Sequence, residues 1–316
     1  MKVLVTGVAG QLGHDVVNEL VKRGLEPIGS DLAETYSGAQ DGTAVTTAKY
    51  VPMDLVDSEA VFARMVYEQP DAVIHCAAWT AVDAAEEEEN HFKVRSVNFA
   101  GTKNVARVCQ ELDIPMMYIS TDYVFDGREG TEPWQPDCTD FHPLNFYGET
   151  KLAGENIVRS YLKKFFIVRI AWVFGVNGNN FIKTMLKVGK NHDTIRVVND
   201  QIGTPTYTYD LARLLVDMIQ TDRYGHYHAT NEGGYISWYD FTKEIFKQAV
   251  ALGHTEYAED KVNVIPVTTA EYGESKAARP FNSRLDKSKL SECGFTPLPD
   301  WKDAVARYLK QYEWDS

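Results

Sequence analysis

A doubly wound parallel α/β fold of the Rossmann type, followed by a smaller α/β lobe, is predicted by three features of the chain. Short apolar strand patterns alternate with helical runs through the first half, a glycine-rich turn joins the first strand to the first helix, and the alternation loosens beyond residue 175. Parallel strands need crossover connections, and the helices that make those connections cover both faces of the sheet. The expected division is a dinucleotide-binding domain over 1–175, with later strands returning to it, and a mainly substrate-binding lobe over 176–316.

Taken in order, Lys2-Val3-Leu4-Val5-Thr6 is a short buried-strand pattern, and a helical run from His14 to Arg23 ends at Gly24. Between them lies Gly7-Val8-Ala9-Gly10-Gln11-Leu12-Gly13. A tight strand-to-helix turn lets backbone N–H groups and the positive end of a helix approach a pyrophosphate, which a Cβ at the closest positions would obstruct. The second strand, Glu26 to Ser30, runs into Asp31, eighteen positions after Gly13. An acid there accepts from an adenosine ribose hydroxyl, which favours NAD(H) over a 2′-phosphorylated cofactor. Residues 33–49 form a polar loop, longer than most connections, at the adenosine end. Val51-Pro52-Met53 is a third strand leading to Asp54 and Leu55, with Asp54 placed toward the adenine, and a helix follows from Asp57 to Tyr67.

The fourth strand, Ala72 to Ala78, ends in Ala77-Ala78-Trp79-Thr80, where small residues let a dinucleotide lie against the backbone. After a helix over Val97–Glu111, the fifth strand, Met116 to Thr121, ends in Ser120-Thr121-Asp122-Tyr123. Ligands of such sheets bind beyond the carboxyl ends of the strands, so this rim receives both a hydroxyl and a carboxylate. Tyr147 and Lys151 begin the next helix, four residues apart and therefore on one face. An ammonium beside a phenol favours the phenolate and brings a group that titrates near ~10 toward the range useful for proton exchange. Thr121, Tyr147 and Lys151 thus converge beside a nicotinamide.

Later elements are a strand over Phe165–Gly175, a helix near Phe181–Val188, a strand at Thr194–Val198, and helices over Tyr209–Gln220 and Ser237–Leu252. Arg279 and Arg284 are the local cations available to a diphosphate. Composition bounds the rest: the 316 residues are 44% apolar and 24% charged, ordinary for a chain with a full core. A net charge of −13 argues against nucleic-acid and anionic-membrane partners. Cys76, Cys109, Cys138 and Cys293 are scattered without a zinc pattern and read as reduced thiols of a cytoplasmic protein. No stretch approaches the ~20 apolar residues of a membrane span.

The glycine turn, Asn98 in Val97-Asn98-Phe99-Ala100-Gly101-Thr102 and the Tyr147/Lys151 pair together resemble the extended short-chain dehydrogenase/reductase superfamily. Ala78-Trp79-Thr80-Ala81-Val82-Asp83, Ser120 through Gly127, Pro143 through Gly148, Arg169-Ile170-Ala171-Trp172-Val173-Phe174, Val198 through Thr206 and Arg279 through Leu285 narrow the resemblance to the dTDP-4-dehydrorhamnose reductase family. It runs from residue 2 to the helix at Asp300-Trp301. The resemblance implies reduction of a 4-keto nucleotide sugar with NADH or NADPH, Thr121, Tyr147 and Lys151 being catalytic. Gly10, Gln11, Leu12, Asp31, Asp54, Leu55, Ala77 and Ala78 would then lie on the cofactor, joined by Gly7, Gly13, Thr80 and Asn98 and by Tyr147 and Lys151. Thr121, Asp122, Tyr147 and Trp172 would face the sugar nucleotide.

Neighbouring chemistries are distinguished by particular residues. Related dehydratases carry a glutamate after Ser-Thr-Asp, whereas this chain has Tyr123, which favours simple reduction. A regulatory subunit resembling the methionine adenosyltransferase β-subunit need not keep the catalytic trio, which is complete here. A 4-epimerase, or a ketoreductase for another nucleotide sugar, is the nearer alternative. Some family members pair through Mg²⁺ at glutamates near Glu86-Glu87-Glu88-Glu89, but a run of acids on a helix is generally a solvated face. No metal is expected, and the chain is expected to be a monomer or homodimer.

Overall fold

The computed structural model describes residues 1–273 and 275–314. Its main sheet has seven strands, numbered along the chain β1 (Lys2–Thr6), β2 (Glu26–Asp31), β3 (Lys49–Pro52), β4 (Ala72–His75), β5 (Met116–Thr121), β6 (Phe165–Ile170) and β7 (Gly225–His228). All neighbours are parallel, in the order β7-β6-β5-β4-β1-β2-β3. The order reverses between β1 and β4, and a crevice opens at the carboxyl ends of strands where neighbouring connections diverge to opposite faces.

The helices framing the cores are, in chain order, α1 (Gln11–Lys22), α2 (Ser58–Glu68), α3 (Thr102–Glu111), α4 (Phe146–Tyr161), α5 (Phe181–Asn191), α6 (Thr208–Ile219), α7 (Trp238–Ala251) and α8 (Trp301–Leu309). Strand side chains alternate between faces, so Val3 and Val5 meet Val16 and Leu20 of α1 and Leu211 and Leu215 of α6. Leu4, between them, points the other way, into a core with Val61 and Met65 of α2, Val105 and Cys109 of α3 and Val158 of α4. Burial on both faces explains why these strands are almost continuously apolar.

A second core lies beside the sheet. It joins Ile182 and Leu186 of α5, Phe241 and Ile245 of α7 and Trp301 and Tyr308 of α8 to Ile195, Val197 and Val264. The last three come from parallel strands Thr194–Val198 and Asn263–Val267. The chain beyond 175 supplies both cores, since α6, β7 and Leu290 belong with the main sheet.

Several elements depart from the sequence reading. Helix α1 begins at Gln11, three residues before His14, because Gly10 is extended and leaves the helix free to start directly after it. The helix expected over Val97–Glu111 opens with a π-helical turn, Ser96–Gly101, and a helix over Glu88–Arg95 precedes it. The strand expected over Phe165–Gly175 stops at Ile170 and resumes as Val173–Phe174, because Trp172 takes a left-handed backbone with φ 52°. The polar loop is pinned: His14 Nε2 lies 2.9 Å from Asp41 Oδ2, Val45 N–H donates to Asn18 Oδ1 at 2.8 Å, and Val45 is buried.

Candidate active site

Helix α4 carries Tyr147 and Lys151, and its start is fixed by Asn145, whose Oδ1 accepts from Gly148 N–H at 2.8 Å while its amide donates to the Ala278 carbonyl at 2.9 Å. Glu86 accepts from Phe146 N–H at 2.7 Å, so the first of the four glutamates belongs to this cap, and Glu87 pairs with Lys276. Two glycines let the helix press onto β5. A Cβ at Gly148 would strike the Tyr123 carbonyl oxygen, and one at Gly154 the Tyr118 hydroxyl. Beneath them Arg169 of β6 clasps Glu155 of α4 through two 2.8 Å bonds, and Ser120 donates to Glu155 Oε1 at 2.6 Å. Both charged partners are at most 1% exposed, so β5, β6 and α4 are locked together directly behind Thr121.

Thr121, Tyr147 and Lys151 do come together, all buried. The Thr121 hydroxyl donates to Asp122 Oδ1 at 2.9 Å and also lies against the Tyr147 phenol. Asp122 Oδ2 accepts from Ser283, a residue of the C-terminal segment. Burial lifts the Asp122 carboxyl to about 6 against these hydrogen bonds. Lys151 donates to the Ile119 carbonyl at 2.7 Å and its Nζ stands 4.1 Å from the Tyr118 ring centroid. Burial brings its ammonium down to about 7, with Glu155 opposing.

The helix spacing predicts a phenol pulled down by the ammonium. In the structure the Tyr147 phenol is instead pushed up, by burial first and then by Asp122 and Tyr123, with the Thr121 hydroxyl opposing. The ammonium of Lys151 is directed at the Ile119 carbonyl, and loss of water acts on the phenol more strongly than any cation.

The glycine turn separates packing from ligand space. Gly7, with φ 73°, would place a Cβ 2.7 Å from the Ala77 backbone, and one at Gly13 would strike the Gly7 carbonyl. A Cβ at Gly10 meets only the Gly7 carbonyl oxygen, at 3.3 Å, so fold packing demands far less of Gly10. Its bareness suits a close-lying pyrophosphate at the start of α1. Leu12 is core, and Gln11 accepts from Asn180 at 3.2 Å. Asp31 accepts from Ala9 N–H at 3.0 Å and Leu32 N–H at 2.8 Å, which holds its carboxylate beside the turn. Asp54 is exposed and accepts from Val56 N–H at 2.9 Å, and Leu55 packs against Gly101.

Ala77 and Ala78 are half-buried and Thr80 is exposed, past the end of β4. Asn98 stands behind them: its oxygen accepts from Trp79 N–H at 2.7 Å and its amide donates to the Trp79 carbonyl at 3.3 Å and to Thr150 at 3.0 Å. Sequence reasoning places Asn98 on the cofactor; in the structure its side chain holds the Trp79 backbone at that wall.

A relay that the sequence reading missed supports the same wall. Thr6 Oγ1 accepts from Ala77 N–H at 3.2 Å and, since the bond of Thr102 to the Asn98 carbonyl leaves the imidazole proton on Nε2, donates to His75 Nδ1 at 2.8 Å. His75 Nε2 then donates to Thr102 Oγ1 at 3.2 Å, and that hydroxyl donates to the Asn98 carbonyl at 2.8 Å. Burial holds His75 down at about 3, so it is neutral and serves both bonds. Alternating His, Thr and Asn within apolar words gave no sign of this. Asn177 is a second omission: its amide donates to the Ala9 and Gly10 carbonyls at 2.9 and 3.2 Å, clipping the glycine turn from the second half of the chain.

A cleft of about 630 Å³ opens between the sheet and the second core. Thr80, Asp83, Tyr123, Trp172, Arg196, Trp238, Arg279 and Ser283 are among the residues that line it. The cleft meets the trio through its neighbours, because the Tyr123 ring packs edge-on to Tyr147 at 5.7 Å and Ser283 bonds Asp122. Of the two arginines singled out from sequence, Arg279 faces the cleft and pairs with Asp83, leaving one buried guanidinium nitrogen without a partner. Arg284 donates instead to the Gly130 carbonyl at 2.7 Å and does not line the cleft. Arg196, not singled out, does.

A family model described as the RmlD substrate binding domain matches residues 1–314, and the dTDP-4-dehydrorhamnose reductase of Aggregatibacter actinomycetemcomitans is 36% identical over 311 residues, covering 96% of this chain and 97% of the relative. The chain belongs to the dTDP-4-dehydrorhamnose reductase family. A family crystal structure from Clostridium acetobutylicum is similar with a TM-score of 0.84 at 38% identity, covering 98% of this chain and 99% of that one. The dTDP-4-dehydrorhamnose reductase of Bacillus anthracis, in complex with NADP, gives 0.80 at 35% identity, covering 98% and 99%. Family membership fits the doubly wound sheet and the bare Gly10 turn. Among the described residues no group of three or more His, Cys, Asp or Glu side chains is placed to hold a metal ion, and no helix is long and apolar enough to cross a membrane.

Proposed function

We propose that this protein reduces dTDP-4-dehydro-L-rhamnose to dTDP-L-rhamnose with NADH or NADPH, the last step in making that nucleotide sugar. The observation that carries this reading is the meeting of Thr121 and Tyr147, beside Lys151, at the end of β5, with the nucleotide-sized cleft on one side and the glycine turn on the other. A reduced nicotinamide, when bound, supplies the hydride that forms the C4–H bond. Tyr147 gives its phenolic proton to O4 as the carbonyl π bond opens, and its raised pKa keeps that proton in place at neutral pH. Thr121 orients on the same oxygen, and Lys151 holds the nicotinamide ribose and steadies the phenolate left behind. Asp122 and Trp172 face the sugar, and Arg279, which lines the cleft, meets the diphosphate.

For the cofactor, Gly7, Gly10, Gln11, Leu12 and Gly13 form the pyrophosphate turn, Asp31 takes the adenosine ribose, Asp54 and Leu55 flank the adenine, and Ala77, Ala78 and Thr80 make the wall steadied by Asn98. With Asp31 in place and no Lys or Arg between residues 32 and 48, NADH should serve at least as well as NADPH. The setting is the cytoplasm, as a monomer or homodimer, with the residues after 175 providing most of the substrate lobe.

The test is purified protein, enzymatically made dTDP-4-dehydro-L-rhamnose and each reduced cofactor, followed by absorbance loss and product analysis. Stoichiometric cofactor consumption with dTDP-L-rhamnose as product is expected. No turnover with either cofactor would sink the reading, and nucleotide retained through turnover without consumption would point to an epimerase.

A further inference from the structure

Trp172 is one of few non-glycine residues with positive φ, 52°, and the neighbouring elements hold its ring from two sides. A left-handed backbone at a bulky residue costs free energy unless its surroundings impose it. On one side lies Gly203, where a Cβ would sit 2.9 Å from Trp172 Cε2 and 3.0 Å from the Ser283 Cβ, so only a bare backbone leaves room for the indole. On the other lies Trp238, stacked on Trp172 with ring centroids 3.6 Å apart and planes 15° apart. Trp238 is itself backed by Phe181, at 4.5 Å, and by Phe241, at 6.3 Å. Both indoles border the cleft.

The two clamping residues are joined to each other. Gly203 pairs with Ile236 in a short antiparallel bridge, and Ser237, one residue on, caps α7 through a reciprocal bond with Asp240. The helix cap therefore delivers Trp238 at the first residue of α7, facing the strand that carries Gly203. Trp172 is held at its own end by the Thr206 N–H, which donates to its carbonyl at 3.1 Å.

We infer that Trp238 and Gly203 are positioning residues for the nucleotide sugar, acting by clamping the Trp172 indole in one plane against the cleft. This rests on the proposed reading of the cleft as the nucleotide-sugar site. A free indole on a left-handed backbone would sample several rotamers and lose contact area with the sugar; a ring fixed beforehand avoids that ordering cost on binding. The contribution belongs to the sugar-nucleotide side alone, since the glycine turn and Asp31 stand on other elements.

The test uses the full chain, with dTDP-L-rhamnose binding by calorimetry, NADH binding by fluorescence, and far-ultraviolet circular dichroism, in which two stacked indoles give an exciton couplet. Trp238→Leu should remove the couplet and weaken dTDP-L-rhamnose about tenfold, the scale of one well-packed aromatic contact, with NADH affinity unchanged. Trp238→Phe should lose the couplet but recover most of the affinity. Should Trp238→Leu fail to melt cooperatively, Gly203→Ala, which leaves both indoles present but drives a methyl into Trp172, should weaken dTDP-L-rhamnose while sparing NADH. A wild type without the couplet, variants that bind dTDP-L-rhamnose as the wild type does, or equal losses for both ligands would each overturn the clamp. So would failure of the wild type to bind dTDP-L-rhamnose, whereas binding without turnover counts only against the reductase reading.

Discussion

The Tyr147 phenol and the Lys151 ammonium both lose water on folding, and each is pushed toward its neutral form: the phenol's pKa rises and the ammonium's falls to about 7. Tyr147 is thereby kept as a proton donor, which suits reduction. Tyr147→Phe should cut turnover by about 10²–10⁴-fold, the usual worth of a general acid, while NADH binding by fluorescence titration changes little. Wild-type-like turnover would remove Tyr147 from the chemistry. For Lys151 the sign of the linkage is definite. Between pH 7 and the ordinary lysine value of 10.5 the unfolded chain holds a proton that the folded chain has lost, so this residue's contribution to stability rises with pH across that window. Below it the full cost of the buried charge is present. Lys151→Met should therefore be more stable than the wild type in urea at pH 6, by on the order of a few kcal/mol, and the gap should close toward pH 10. Parallel stability curves for the two proteins would contradict a depressed lysine. The Tyr147/Lys151 pair is legible in sequence because helix spacing is local; the direction of its pKa shifts is not, because burial depends on what the rest of the chain packs over it.

At the scale of elements, α4 is held against β5 and the turn after it by two bare glycines, and against β6 by one buried ion pair. Removing one partner of such a pair strands the other in the interior, so Glu155→Ala should cost about 3–5 kcal/mol in a chemical denaturation series. A loss below 1 kcal/mol would show that Arg169, which already donates to the Pro136 carbonyl at 3.0 Å, stays satisfied without Glu155. Strand β5 was readable to the residue, since Met116-Met117-Tyr118-Ile119 is a compact apolar run that ends in hydroxyls. Strand β7 was not: Gly225-His226-Tyr227-His228 has two imidazoles, and it is a strand because His228 finds a buried site against Phe125 and Arg169. The break at Trp172 was equally hidden, because Ala171-Trp172-Val173 has good strand composition and nothing local marks Trp172 as left-handed.

Across the whole molecule, residues from the second half complete a site that begins in the first. Asn177 clips the carbonyls of the glycine turn, Asn180 reaches Gln11, and Ser283 bonds Asp122. Asn177→Ala should weaken NADH several-fold in fluorescence titrations and lower the melting temperature only modestly, because three side-chain bonds, to the Ala9 and Gly10 carbonyls and from Ala39 N–H, are lost without a cavity in either core. Unaltered NADH affinity would show that the turn holds its shape alone. Sequence by itself determined the alternating sheet, the glycine turn with Asp31, and the spacing of Thr121, Tyr147 and Lys151, because each depends on local geometry with a fixed period. Only the tertiary structure decided that Asn98 and His75 steady a wall, that Arg279 rather than Arg284 faces the cleft, and that Trp172 is clamped by Gly203 and Trp238. Those contacts join residues far apart in the chain, and their energies come from burial and close approach, which no local pattern encodes.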